Sequence, residues 1–381
     1  MSLKTFWRKT HLIIGLVSGL VVFISSITGA LYVFKDEVES ITHTFRHVEP
    51  LEDDLLLPSE VFAIAKQALP NTQIHGAIYN GKSQVVEVIY YQESPLYYGG
   101  AYVHPITGEV VKQVNFFRTF FGLMLAGHTS LWLPPTIGMP IIAVSVIMYL
   151  ILVISGIVLW WPKGKKRNGV FTFTKTNKLL VKIKEWHVVF GFYATFFVLI
   201  MLLTGAIWLF KGFEQGIYSS LGGNKEVSFS YPKSDVSKAG SLPSHVNVVD
   251  SVFQIVSKEF GSEANIEIHD ISDAESSILV EVNCKPGTYW QMDYLYYDQY
   301  TLKEVTPSHI YGRYENADMA DTAIRLNYDI HSGGIGGFLG KLLAFLVSLL
   351  SASFPITGFI YWLKRTRESK QRKKDFIAEL K

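Results

Sequence analysis

One cysteine, Cys284, occurs in 381 residues. A single thiol excludes an internal disulfide, a c-type haem attachment motif and an iron–sulfur cluster, so any cofactor is held by other ligands. Charge is also scarce. Asp, Glu, Lys and Arg make up 18% of the chain, against about 25% in ordinary globular proteins, which excludes a disordered chain and argues against a soluble enzyme. The formal net charge of +2 is too small for nucleic-acid binding by bulk electrostatics. A phosphate loop, a dinucleotide fingerprint and a Ser/His/Asp signature are all missing.

The scarcity has a pattern. Residues 12–34, 119–162, 186–210 and 342–363 contain no Asp, Glu, Lys or Arg. A spanning helix needs about 20 mostly apolar residues, so the first, third and fourth stretches each fit one helix. The second is too long and is broken by Leu133-Pro134-Pro135-Thr136-Ile137-Gly138-Met139-Pro140. It reads as a short helix near 116–131, a turn and a spanning helix over 140–161.

The remaining charge is sorted by position. The short segments 1–10, 162–185 and 364–381 hold 19 of the 35 basic residues, among them Lys163, Lys165, Lys166 and Arg167, and four of the 33 acidic ones. Segments 36–115 and 212–325 hold 28 acidic residues against 12 basic ones. Short basic loops stay in the cytoplasm, which makes the two acidic segments the exported ones and puts both termini inside. Trp7, Trp160, Trp161, Trp186 and Trp362 fall at the cytoplasmic boundary as an aromatic belt. The N-terminus resembles a signal peptide, but its pattern recurs in mid-chain, where cleavage has no place.

That recurrence is a tandem repeat. Trp7-Arg8-Lys9-Thr10-His11, Gly15, Thr28-Gly29-Ala30 and Phe34-Lys35 match Trp186-His187, Gly191, Thr204-Gly205-Ala206 and Phe210-Lys211 at an offset of 176 for His, Gly, Thr-Gly-Ala and Phe-Lys. His128 before Ser155-Gly156 and Trp160 matches His331 before Thr357-Gly358 and Trp362, at offsets of 203 and 202. Two spans per unit make it a parallel repeat and the membrane part a four-helix bundle. Each exported segment has an amphipathic stretch (61–69, 246–256), an alternating run (Val85–Tyr90, Ser277–Val282) and a hairpin-like piece (Ala101–Val110, Leu295–Glu304). These read as a small helix on an antiparallel sheet, twice.

Four of the eleven histidines, His11, His128, His187 and His331, sit at repeat-equivalent ends of the membrane segments. His11 and His187 belong near the inner boundary, His128 and His331 near the outer one. A polar ring in a bilayer needs a partner, and iron in a haem is a common one for imidazole. The reading is His11 with His187 on an inner haem, and His128 with His331 on an outer one. Against it stands a plainer reading, four solvated interfacial side chains. Tetrahedral zinc fits less well, because two histidines at one depth leave it two ligands short. Gly15, Gly19, Gly127, Gly191 and the run Gly333–Gly337 would admit the haem plane, and Arg8, Lys9 and Lys182 inside, with Arg118 and Arg325 outside, would neutralise its propionates. His43, His47 and His309 are weaker metal candidates. His104 occupies a turn position that corresponds to Asp298, and the Tyr-rich stretches 90–91, 97–98 and 294–297 read as sheet faces.

The opening Trp7-Arg8-Lys9-Thr10-His11 with Gly15 and Thr28-Gly29-Ala30, the exit Ser155-Gly156, Leu159-Trp160-Trp161-Pro162 and the strand–turn Tyr102–Val110 resemble the PepSY-associated transmembrane family over nearly the whole chain. The resemblance implies two PepSY domains on the periplasmic side of a bacterial inner membrane and b-type haem. Its members of similar layout look like FoxB-type ferric-siderophore reductases, which implies two haems b held by His11, His128, His187 and His331. The sequence departs from the family's turn at His104 and at Asp298–Leu302.

The resulting layout is a first spanning helix over 1–35 and an exported domain over 36–115. A short interfacial helix with the second span covers 116–162, a cytoplasmic loop 163–184 and the third span 185–211. A second exported domain over 212–325, a His-bearing segment with the fourth span over 326–363 and a basic tail over 364–381 complete it. The functional expectation is an oxidoreductase that passes electrons to a ferric siderophore in a cleft between the exported domains and releases Fe(II) for iron uptake. A membrane quinol or a cytoplasmic flavin reductase would be the donor, and the bilayer the other partner. The competing readings are a non-enzymatic PepSY membrane protein, peptidase-regulating or sensory, and a siderophore or metal permease. The latter predicts charged or broken helices at mid-membrane.

Overall fold

The computed structural model describes residues 2–49, 54–161, 171–261 and 263–379. Lys163, Lys165, Lys166 and Arg167, and Pro162 of the exit motif, lie outside the described residues. The chain divides into two compact units. One comprises Met1–Val33, Leu123–Lys211 and Ile330–Lys381, and the other Phe34–Gly122 and Gly212–Asp329.

The first unit is helical. Leu3–Tyr32, Pro135–Trp160, Leu179–Leu209 and the helix ending at Glu379 are each long and apolar enough to cross a membrane. In lipid a helix satisfies its own backbone groups, which is why uncharged runs of this length fold so. The first helix packs on the second and fourth, and the third also packs on the second and fourth. Ala194, Val198 and Val347 form a small buried cluster with Tyr149, Val153 and Phe354. The second span begins at Pro135 rather than 140, because proline suits the first turn of a helix, where no N–H partner is required. The fourth runs unbroken through the basic residues as Gly337–Glu379, so 364–379 extends that helix. The third contains a wide π-type turn over Trp186–Phe190, which the sequence pattern did not indicate.

The second unit is built on one sheet. Its strands are β1 (Ile74–Tyr79), β2 (Val86–Glu93), β3 (Leu96–Val103), β4 (Val110–Asn115), β5 (Asn265–His269), β6 (Ile278–Asn283) and β7 (Asp293–Tyr297). They form a seven-stranded sheet in the order β4-β3-β2-β1-β5-β6-β7. The helix–meander pattern read in each exported segment is present, but the segments do not stand apart. β1 pairs antiparallel with β5, opposing Gly76 to His269 and Ile78 to Glu267. A continuous ladder therefore occupies the place where the sequence reading puts a cleft between two domains.

Alternation gives the sheet two different faces. One carries Ala77, Val86, Val88, Ile266, Ile268, Val280 and Leu295, buried against the helices Pro58–Ala68 and Val248–Phe260. These helices are tied together where Ser59 donates from N and Oγ to the buried Asp250 carboxylate at 2.8 and 2.6 Å. The other face carries Glu87, Glu267 and Glu281. Burial, with Glu281 alongside, holds the Glu267 carboxyl above the usual carboxylate range.

The two turns with dissimilar sequences share one hydrogen-bond pattern. Asp298 Oδ1 accepts from Tyr300 N and Thr301 N at 3.0 and 2.9 Å. His104 Nδ1 accepts from Ile106 N and Thr107 N at 3.3 and 3.2 Å. An imidazole lone pair thus replaces a carboxylate oxygen. Asp298 Oδ2 also accepts from Asp235 N at 2.5 Å. Burial alone would raise the Asp298 pKa, but the bonds donated by Asp235, Thr301 and Tyr300 outweigh it and hold the carboxyl below its ordinary value. Asp298→Ala leaves these donors unanswered and should cost the full chain about 2–3 kcal/mol, read as a lower midpoint in denaturant. Because the folded pKa is depressed, this contribution is present above the unfolded value of about 3.9 and is lost as pH falls through the lower, folded one. Asp298→Asn, which keeps Oδ1, should lose less. Equal midpoints for wild type and Asp298→Ala would refute the assignment.

Candidate functional site

The four membrane-end histidines meet in the pairs that the repeat suggests. The His11 and His187 ring centres are 6.2 Å apart with planes at 82°. Those of His128 and His331 are 6.0 Å apart at 56°. Both pairs lie within the helical unit.

Each ring is oriented through Nδ1. His11 Nδ1 is 2.8 Å from Ser155 Oγ, His187 Nδ1 is 3.0 Å from Thr357 Oγ1, and His331 Nδ1 is 2.8 Å from Thr204 Oγ1. A hydroxyl has one proton to give. Ser155 gives its proton to Leu152 O, Thr357 to Ser353 O and Thr204 to Ile200 O, so each hydroxyl accepts from the ring. His128 Nδ1 lies 2.8 Å from Ser25 O, a carbonyl that can only accept. His128 therefore carries its proton on Nδ1 and a lone pair on Nε2, and the same tautomer satisfies the hydroxyl geometry at the other three rings. This is the tautomer of a metal-ligating histidine whose other nitrogen is held by an outer partner.

Glycine completes each seat. A Cβ built on Gly29 would lie 2.7 Å from His128 Nδ1, and one on Gly358 would lie 3.3 Å from His187 Cε1. Gly205 and Gly156 approach His331 and His11 in the same way, at 3.5 and 3.7 Å. In Thr357-Gly358 the hydroxyl bonds the ring and the glycine makes room for it, whereas at Gly156 and Gly205 a Cβ would meet the ring at ordinary van der Waals contact. Thr28-Gly29 supplies only the room, and Ser25 the acceptor.

Local structure holds the histidines in place. His128 ends the short helix Phe120–Ser130. The chain then turns through Leu131 and Trp132, both at positive φ, and Trp132 Nε1 donates back to Leu123 O at 2.7 Å. His331 ends the helix Asn327–Ser332, followed by Gly333 at φ +80°, where a Cβ would strike Gly340 O. His187 sits in the wide turn Trp186–Phe190, and such turns often mark functional positions.

Other expected site residues are placed differently. Gly15 and Gly19 pack against Leu152 and Pro355, Gly127 against Trp132, and nothing lies within 4 Å of a Cβ on Gly191. The glycines at the rings are those of the Ser/Thr-Gly pairs. Arg8, Lys9 and Lys182 are exposed on the helical unit, where they remain free to meet an anionic group. Arg118 and Arg325 belong to the sheet unit. Arg325 is buried, donates to the Met292 and Gly312 carbonyls and lies over Tyr294 and Tyr314, so its guanidinium is committed there. His43 and His47 flank a short helical turn, and His309 is buried with Nε2 donating to Ser230 O at 2.7 Å.

The arrangement suits a metal held between two imidazoles. Metal–nitrogen bonds of about 2 Å on opposite sides of one ion, plus the ring radii, put the two ring centres about 6 Å apart, as both pairs have them. Imidazole nitrogens without a thiolate, in an apolar surround, are a donor set that would suit a haem iron held by the two histidines of each pair.

No curated protein matches the chain. The model of the PepSY-associated TM region matches residues 8–365. With four apolar helices long enough to span a membrane and a match over nearly its whole length, the chain is a membrane protein that belongs to the PepSY-associated TM family.

Proposed function

We propose that this protein is a di-haem b electron-transfer protein of a bacterial inner membrane, built as a tandem repeat, that reduces periplasmic ferric siderophores and releases Fe(II). The observation that carries the reading is the pairing of His11 with His187 and of His128 with His331, each ring with Nδ1 tied down and the Nε2 lone pair available. When bound, haem supplies one-electron redox chemistry, which reduction of Fe(III) in a chelate requires.

The chain's own residues do the rest. Ser155, Thr357, Thr204 and the Ser25 carbonyl hold the rings in the ligating tautomer. Gly29 and Gly358 let the His128 and His187 rings lie close to the neighbouring helices. The apolar helices exclude water. His187 and Thr204 are 17 residues apart on one helical span, about 25 Å at 1.5 Å per residue, against a hydrocarbon core of about 30 Å. The two pairs are therefore spaced to serve opposite boundaries. Basic residues concentrated in 1–10, 162–185 and 364–381 favour a cytoplasmic location for those segments and a periplasmic one for the sheet unit.

Purified protein should show a haem absorption band that shifts and sharpens on dithionite reduction, with two haems per chain. His11→Ala and His187→Ala should each remove the same haem, and His128→Ala and His331→Ala the other. A colourless protein after expression with ample haem sinks the reading.

The seats give a finer test. Thr204→Val keeps the shape but removes the acceptor of the His331 Nδ1 proton, and should weaken one haem about ten- to a hundredfold in apoprotein titration while leaving the His11–His187 haem intact. Undiminished affinity would show that the hydroxyls do not orient the ligands.

The activity is tested by mixing dithionite-reduced protein with a ferric siderophore under anaerobic conditions. The haem spectrum should return to the oxidised form, with one Fe(II) trapped per electron. A reduced spectrum that persists would leave an electron carrier without this substrate.

A further inference from the structure

The glutamate-bearing face of the sheet contains a second cluster, remote in sequence from the paired membrane histidines. In the registers β2–β1, β1–β5 and β5–β6, Glu87 opposes Ile78, Ile78 opposes Glu267, and Glu267 opposes Glu281. The three carboxylates thus fall in one row across the sheet. Glu87 is answered by Arg46 at 3.9 Å and by the Tyr102 hydroxyl at 3.0 Å. Among the described residues, no Lys or Arg pairs with Glu267 or Glu281. Their nearest cationic candidate is His269, whose Nε2 lies 3.7 Å from Glu267 Oε1 and 3.6 Å from Glu281 Oε1.

His269 is 4% exposed, and among the described residues neither of its ring nitrogens has a hydrogen-bond partner. A buried polar ring with both nitrogens unanswered is costly. The two separations from the carboxylates are too long for good hydrogen bonds. They match the spacing of two ligands on one metal ion, about 3.4 Å for bonds of about 2.1 Å at tetrahedral angles.

A second imidazole completes the set. Ile74 opposes Tyr90 while Gly76 opposes Ile89, so His75 is an extra residue in β1. Strict alternation would turn His75 away from Gly76 and His269, and a bulge re-aims a side chain in this way. The His75 ring centre lies 4.6 Å from that of His269. Ligand atoms of His75, Glu267 and His269 all come within 4.8 Å of one another.

We propose that His75, Glu267 and His269 form a binding site for a first-row divalent transition-metal ion, with Glu281 the neighbouring carboxylate 3.6 Å from His269 Nε2 and with Zn(II) and Fe(II) as the ions that suit two imidazoles and a carboxylate. The ion answers the Glu267 carboxylate and the buried ring at once, and its charge offsets that of the adjacent Glu281. It also bridges β1 of the first segment to β5 of the second, so that it fastens the seam where the halves of the sheet meet. The site stands apart from the haem reading, since none of its ligands belongs to the helical unit.

The test uses the full haem-loaded protein, stripped with chelator and equilibrated by dialysis with zinc alone. Elemental analysis should find one zinc per chain more in the wild type than in His75→Ala or His269→Ala, with apparent affinity at least tenfold weaker in each variant. Zinc should raise the thermal midpoint of the wild type and leave that of His75→Ala unmoved. His75 is exposed, so this variant does not disturb the core. Equal zinc content in wild type and His75→Ala overturns the proposal. Haem content is read on the same samples, so failure here is distinguishable from failure of the haem assignment.

Discussion

A neutral imidazole has one donor and one acceptor, and within an apolar bundle the structure must answer both. In this protein the donor side is answered four times from a neighbouring helix: by hydroxyls whose own protons are engaged at His11, His187 and His331, and by a main-chain carbonyl at His128. Everything distinctive in the helical unit follows from that constraint. It explains why Thr357 precedes a glycine, since a Cβ on Gly358 would crowd the His187 ring. It explains why the short helix carrying His128 is folded back tightly through Trp132. It also leaves the acceptor side of every ring as the open valence from which the functional reading is built.

The sheet unit solves a different problem. Seven strands need one face buried, and the alternation of Val, Ile and Ala with polar residues supplies it against two helices, one from each segment of the sheet unit. The opposite face then collects carboxylates in a row. Arg46 balances the first, and the arrangement around the other two is the more unusual feature of the unit. A histidine without hydrogen bonds among the described residues, set between two glutamates, is the feature on which the proposed metal site rests.

The spans and the pairing of the histidines were legible because both depend on local runs and on an offset that can be counted along the chain. The seats were only half legible. Thr28-Gly29, Ser155-Gly156, Thr204-Gly205 and Thr357-Gly358 stand out as repeated motifs, yet nothing local says that their partner is a ring on another helix, so the space-making role fell to Gly15, Gly19 and Gly191 instead. The union of the two exported segments was hidden for a related reason. Pairing of β1 with β5 joins residues about 190 positions apart, and each segment alone reads as a complete helix-and-meander fold. His75 is hidden further, since period-two alternation assigns it to the wrong face until the bulge is seen.

Who seats each ring and who faces it are different questions with different answers. Ser155 and Ser25 lie in the same half of the chain as His11 and His128, and Thr357 and Thr204 lie in the same half as His187 and His331. The facing ring always comes from the other half. A polypeptide comprising only the first half would thus own both seats and one member of every pair, and a second copy related by a two-fold axis would supply the missing members. On the tandem-repeat reading proposed above, internal duplication would tie two such subunits into one molecule. It also frees the two sides to diverge, because a substitution on one side no longer appears on both.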